Sequence, residues 1–201
     1  METYNETLCY PMSWGNELYY WSIGIPLLLF AIFAAIIIFL IFFSQDFKKA
    51  SKTKKVLCIA ILLVSLIMPA NSMVSDVLAS PRYVCIENNS IKVTLVKDYL
   101  NSSVSDLWKI DSIEIPISNI RAIRAINSAG KNCIRVNGNG GFFGYTGLFK
   151  SDELGTFTMY TTSGKNRFVV ETTGTTYVLG CENANDLIDR VNNILKNREN
   201  E

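Results

Sequence analysis

Residues capable of covalent chemistry are present in this chain, but no spacing assembles them into a catalytic set. The chain has 201 residues and contains no histidine. The commonest general base is therefore missing, and a nucleophile such as Cys133 or Cys181 would need lysine, aspartate or glutamate as its base. No spacing points to such a pair, so we expect a protein without catalytic residues or a cofactor, and an enzyme without histidine is the least favoured alternative.

The cysteines do not have the spacing of metal ligands. None forms a Cys-x-x-Cys pair, and a zinc site would need four cysteines from distant parts of the chain, so no metal site is expected. In an oxidising compartment Cys85 and Cys133 could form a disulfide, although no pairing follows from the sequence. The favoured alternative is that the cysteines are small buried apolar residues. The five are Cys9, Cys58, Cys85, Cys133 and Cys181.

A glycine-rich stretch lies among aromatic side chains, with five glycines between residues 138 and 147. Glycine-rich loops can bind phosphate, but neither the Walker pattern nor Gly-x-Gly-x-x-Gly is present. The glycines instead predict bulges and a tight bend where strands cross. Exposed members of the aromatic set are the candidate contacts for a partner or ligand. The favoured alternative places alternate aromatics in the core. The set is Phe142, Phe143, Tyr145 and Phe149.

Two apolar runs predict a membrane anchor of two transmembrane helices, residues 21–43 and 56–75. The first has 23 residues without a charge, which is enough to cross a hydrocarbon core of about 30 Å. The second is strongly apolar over only 13 residues, so a buried soluble helix is its alternative. Residues 1–20 precede the first run as an extramembrane segment that is rich in tyrosine and tryptophan.

The connector between the runs, residues 44–55, carries five lysines and one aspartate. Basic loops face the cytoplasm, so we expect both termini outside it and a multi-pass protein of the cell membrane. A solvated loop or a contact with anionic lipid is the alternative for these lysines. From Asp76 onward 14 acidic residues match 14 basic ones. This neutral balance does not favour a nucleic-acid partner.

After a linker at residues 76–81, alternating apolar residues predict about seven β-strands. A hairpin turns at Asn88 and Asn89, and Pro116 breaks the next strand. Residues 155–162, 167–173 and 176–181 read as a meander of three strands. Asn183 then begins an amphipathic helix, which we expect to cover one open end or face of a curved antiparallel sheet.

The central motif reads Arg135-x-x-Gly138-x-Gly140-x-x-x-Gly144-x-x-Gly147-x-Phe149, followed by Leu154-Gly155-x-Phe157-x-x-Tyr160-x-Thr162. This motif resembles the bacterial pleckstrin-homology-like (PH-like) domain family. The resemblance covers residues 82–198. It implies a strongly bent, barrel-like antiparallel sheet capped by the C-terminal helix, on proteins that often carry membrane helices.

The resemblance carries over no site residues, because the family's ligands and partners are largely undefined. The neutral charge departs from the clustered basic loop of a phosphoinositide-binding relative. We therefore expect a non-enzymatic binding or assembly module outside the cytoplasm, in contact with a protein or lipid partner. The alternative is the same fold facing the cytoplasm as a lipid-binding or signalling module.

Overall fold

The computed structural model divides the chain into two compact units. The β unit comprises Met1–Leu18 and Asp76–Glu201, and the helical unit comprises Tyr19–Ser75, inserted in sequence between the two parts of the β unit. The structure describes residues 7–12, 24–42, 45–99, 112–126, 133–140, 144–162 and 165–199.

Three helices follow one another through the helical unit. They are α1 (Ile25–Phe42), α2 (Gln45–Lys49) and α3 (Lys52–Leu78). Many of the large apolar side chains along α1 and the first part of α3 are exposed, between 42% and 65%. Among the residues that the structure describes, no helix meets the length and apolarity of a membrane span. The two predicted transmembrane helices are thus not supported by the structure.

One sheet of the β unit has four antiparallel strands in the order β1-β2-β3-β4. The predicted hairpin is present, and Asn88 and Asn89 turn it with φ angles of 48° and 59°, as a two-residue turn with left-handed residues requires. A 3₁₀ segment, Val96–Tyr99, follows β3. The strands are β1 (Leu8–Pro11), β2 (Pro81–Glu87), β3 (Ser90–Leu95) and β4 (Ile113–Pro116).

The second sheet has six strands in the order β5-β9-β10-β8-β7-β6. Strand β10 lies between β8 and β9, so the predicted meander is wrong. Tyr177 of β10 pairs with Val170 in antiparallel fashion and with Thr158 in parallel fashion. The strands are β5 (Ile120–Ile126), β6 (Ile134–Gly140), β7 (Tyr145–Ser151), β8 (Gly155–Thr161), β9 (Arg167–Thr172) and β10 (Thr176–Gly180).

Pro116 separates the two sheets, because a proline without an N–H ends the ladder of β4. The chain then forms a short 3₁₀ turn, Ile117–Asn119, and enters β5 in the other sheet. The expectation of a single barrel-like sheet is corrected here, since the described strands form two sheets and neither closes on itself. The coarser prediction of a mainly-β domain with a C-terminal helix is confirmed.

The C-terminal helix α4 (Ala184–Glu199) covers the main core with the apolar stripe that the sequence predicts. Leu187 and Val191 are fully buried. They pack with side chains of both sheets, including Ile91 of β3 and Phe168 of β9. A smaller core contains side chains that alternate with those of the main core along β9 and β10, such as Val169 and Val178. At β9 and β10 the six-stranded sheet is therefore packed on both faces.

Candidate functional site

In the glycine-rich stretch, two paired strands approach each other closely. Gly138 of β6 pairs with Gly147 of β7, and their φ angles are +117° and +115°. A Cβ atom on Gly138 would lie 2.8 Å from the Cα atom of Gly147, and one on Gly147 would lie 2.7 Å from the Cα atom of Gly138. A register shift between Arg135 and Asn137 marks a bulge beside this close contact. Glycine is needed here for space and backbone angle, as the sequence interpretation proposed.

The aromatic side chains beside these glycines divide between the core and its margin. Phe149 is 3% exposed, and its ring stacks on that of Phe157 at 6.3 Å between centroids. Tyr145 is half-buried and meets Phe149 edge to face, also at 6.3 Å. Phe142 and Phe143 lie outside the described residues. Phe149 is therefore a core residue, in agreement with the alternative that placed alternate aromatics in the core. Contact of the aromatic set with a partner remains a prediction.

A buried arginine adjoins these aromatics, and the sequence did not indicate it. The guanidinium carbon of Arg167 lies 5.3 Å from the centroid of the Tyr145 ring, a distance at which a cation is attracted to the ring face. Burial lowers the pKa of Arg167, and the charge of Tyr145 acts in the opposite direction. Its backbone pairs with Ile126 on one side and with Gly180 on the other. The charge is thus held inside the sheet.

The other face of β6 and β7 presents apolar side chains to solvent. Ile134 is 74% exposed, Val136 56% and Leu148 36%. Among the described residues of the β unit, these are the large apolar side chains that are exposed. Ile134 lies opposite Lys150, and Leu148 lies opposite the bulge that contains Val136. We call Ile134, Val136 and Leu148 the β6–β7 patch.

The β6–β7 patch was not predicted from the sequence, in which the aromatic residues beside the glycines were the more obvious candidates for contact. A signal was available: Ile134 and Val136 alternate with Arg135, and Leu148 alternates with Phe149, so two apolar sets face in opposite directions. Which set is covered depends on the neighbouring strands and cannot be read from alternation alone.

The cysteines form one disulfide, between Cys9 and Cys85. Cys9 lies opposite Cys85 where β1 pairs with β2. The predicted possibility of a Cys85–Cys133 disulfide is therefore wrong, because Cys85 is bonded to Cys9. The sequence contained no signal for the true pair, because β1 has only four residues and was not predicted. The Cys9–Cys85 disulfide joins positions that are 76 residues apart in the sequence.

Side chains of β1 and α4 form a hydrogen-bonded set next to this disulfide. The hydroxyl of Tyr10 donates to Oδ2 of Asp186 at 2.5 Å, and Nε of Arg190 donates to the same oxygen at 3.0 Å. Burial and the hydrogen bond to Asp186 raise the pKa of Tyr10. The hydrogen bonds from Tyr10 and Arg190 lower the pKa of the Asp186 carboxyl. The set therefore stabilises the charged carboxylate and the protonated phenol.

The remaining candidates for chemistry are not assembled into a reactive site. Within the described ranges, no group of three or more cysteine, aspartate and glutamate side chains is placed to hold a metal ion. Burial raises the pKa of the Cys181 thiol to about 12, so this thiol is protonated near neutral pH. Arg121 and Arg124 of β5 are exposed, and Nε of Arg124 lies 3.3 Å from a carboxylate oxygen of Glu171.

The β unit, with two sheets and a C-terminal helix packed on their common core, fits a PH-like fold. The comparison with protein families agrees, since the family described as "Bacterial PH domain" matches residues 91–194, just over half of the chain. The chain belongs to the bacterial PH domain family. Comparisons with curated proteins and with solved structures give no significant match.

Proposed function

We propose that this protein is a membrane-anchored binding module, without enzymatic activity, whose β unit lies outside the cytoplasm and binds a protein partner through the β6–β7 patch. The observation that carries the proposal is the clustering of Ile134, Val136 and Leu148 on two adjacent strands. Adjacent exposed apolar side chains are a common feature of interaction surfaces.

The position of β6 favours a protein over a lipid as the partner. β6 is the last strand of the six-stranded sheet in the described part of the chain. The outer backbone groups of an edge strand can pair with an extended segment of another protein, whereas lipid provides no ladder of donors and acceptors. The bulge at Val136 restricts such pairing to a short stretch, so most of the contact is made by side chains.

Site-specific photocrosslinking tests the binding surface. A photoreactive amino acid at position 136 of the full-length protein in its native membrane is expected to form an adduct with one protein. The same group at the exposed position Asp189 of α4 is the matched control. The added substitution Ile134→Ser should reduce the adduct at position 136 at least about threefold, because a contact worth about 0.8 kcal/mol per buried methylene is removed. A lipid adduct, or equal adducts at both positions, would contradict the proposal.

Membrane anchoring is proposed for the helical unit. Its support is the apolar surface of α1 and α3, whose exposed leucines, isoleucines and phenylalanines lie all around α1. A helix that is apolar on every side is stable where its surroundings are also apolar. The lysines at the end of α2 and the start of α3 suit the headgroup region at one surface of a bilayer.

The side of the membrane is inferred from two independent features. The five lysines of the connector favour a cytoplasmic loop. The Cys9–Cys85 disulfide favours an oxidising compartment for the β unit, because cytosolic thiols are kept reduced. A cytoplasmic β unit that binds lipid or a signalling partner is the second candidate, and the neutral charge of the residues from Asp76 onward is the reason for ranking it lower.

A C-terminal reporter distinguishes the two orientations. A fused alkaline phosphatase, which folds only in an oxidising compartment, is expected to be active, and a fused fluorescent protein that matures only in the cytoplasm is expected to be dark. Replacing the five lysines of the connector by glutamines should reduce the difference between the reporters, since those charges set the orientation. The reverse pattern in the unaltered protein would support the cytoplasmic alternative.

A further inference from the structure

We propose that the Cys9–Cys85 disulfide is a redox latch: reduction releases strand β1 from the β unit and opens the edge of β2 while the rest of the domain stays folded. The inference goes beyond the proposed binding function and does not depend on the β6–β7 patch. It rests on the position of the disulfide, on the small size of β1 and on the contacts that β1 makes.

The covalent bond lies in a short strand at the edge of a sheet. β1 has four residues and, in the described part of the chain, pairs with β2 on one side only. Beyond that pairing, the amide of Met12 donates to the carbonyl of Arg82 and the amide of Glu182 donates to the carbonyl of Pro11, both at 2.8 Å. Tyr10 adds the hydrogen bond to Asp186. Strands of this length need further support to stay paired.

The two cysteines of the disulfide differ in exposure, which favours attack by a thiol from the side of Cys9. Cys9 is exposed, whereas Cys85 is buried. Exposed disulfides are the ones that exchange readily with thiols. An incoming thiolate can therefore reach the Cys9 sulfur, and the Cys85 thiolate is the leaving group.

The exchange is a two-electron reaction with a dithiol as the reductant. The first thiolate of the dithiol bonds to the sulfur of Cys9 as the Cys9–Cys85 bond breaks. The second thiolate of the dithiol then attacks the dithiol sulfur that is bonded to Cys9. This breaks the mixed disulfide and releases Cys9 as a thiolate. The dithiol leaves as a cyclic disulfide, and its two protons end on Cys9 and Cys85.

Release of β1 would change the surface of the β unit at a defined place. Tyr10 and Met12 are buried in the main core, so their departure uncovers apolar side chains next to α4. The backbone groups of β2 from Tyr83 to Ile86, which face β1, become available to another strand. The disulfide joins β1 to β2 and to no other strand, so its reduction breaks no covalent link in β3, β4 or the six-stranded sheet.

Hydrogen–deuterium exchange on the full-length protein in detergent tests the latch. After dithiothreitol, we expect the amides of Leu8, Cys9, Tyr10 and Met12 and the Glu182 amide to lose their protection, while those of β9 keep it. The double variant Cys9→Ser/Cys85→Ser should show the reduced pattern without reductant. Cys58→Ser, which removes a thiol outside the disulfide, should respond to reductant like the unaltered protein.

Two outcomes would overturn the proposal. Undiminished protection of residues 8–12 after reduction would mean that pairing and side-chain packing hold β1 unaided. Loss of protection in β9 together with β1 would mean that the disulfide supports the whole fold and controls no local opening. Tyr10→Phe separates the latch from the hydrogen bond: with the disulfide intact this variant should keep β1 protected, and an unprotected β1 would show that the phenol, rather than the disulfide, holds the strand.

Discussion

Gly147→Ala is expected to lower the free energy of unfolding of the β unit by about 3 kcal/mol or more, because strain and overpacking act at the same position. The backbone at Gly147 has a φ of +115°, which side-chain-bearing residues rarely adopt. The added methyl would also lie 2.7 Å from the Cα atom of Gly138. That atom belongs to backbone and cannot rotate away, so β6 and β7 would have to separate.

The matched control for this prediction is Gly174→Ala. A methyl group at Gly174 would point into open space, with no contact within 4 Å, and the φ of this glycine lies outside the left-handed region. We expect the control to change the free energy of unfolding by less than about 0.5 kcal/mol. The measurement is hydrogen exchange of β9 amides as a function of urea concentration. Equal effects of the two substitutions would mean that the close contact between β6 and β7 at Gly147 tolerates a side chain.

Leu187→Ala is expected to lower the free energy of unfolding by about 2–5 kcal/mol, the range for removal of a buried leucine side chain. Leu187 is fully buried in α4 and packs in the main core with residues of both sheets. Its loss leaves a cavity between α4 and the sheets. The rigid strands around it can close such a cavity only in part.

Asn193→Ala is the control for Leu187→Ala, because Asn193 lies on the exposed side of the same helix. Alanine is at least as favourable as asparagine within a helix, so the control should leave stability unchanged or slightly raised. The same urea-dependent exchange measurement serves for both variants. If Leu187→Ala were no more destabilising than Asn193→Ala, α4 would not be a necessary part of the core.

The parts of the fold that were predicted correctly are those that depend on local residue patterns. Asn88 and Asn89 between two alternating segments predicted the first hairpin, since few residues other than glycine and asparagine accept left-handed angles. The apolar stripe of α4 has a period of 3.6 residues within one continuous segment. Pro116 predicted a break because its effect on the backbone does not depend on neighbours.

The features that were missed depend on partners far away in sequence. The disulfide needs β1 beside β2, with the whole helical unit between them in the chain. The insertion of β10 between β8 and β9 depends on which strand edges are unpaired when the chain returns to the sheet. Three successive segments of alternating residues carry no information about those edges. The meander was therefore the simpler and incorrect interpretation.

The glycine-rich stretch shows the same division within one segment. The sequence alone determined that glycine was needed between residues 138 and 147 and that the motif resembled the bacterial PH-like family. Only the tertiary structure decided that Gly138 faces Gly147, that Phe149 is buried and that Ile134, Val136 and Leu148 are exposed. The physical reason is that backbone preference belongs to a residue, whereas burial is decided by what the rest of the chain places against it.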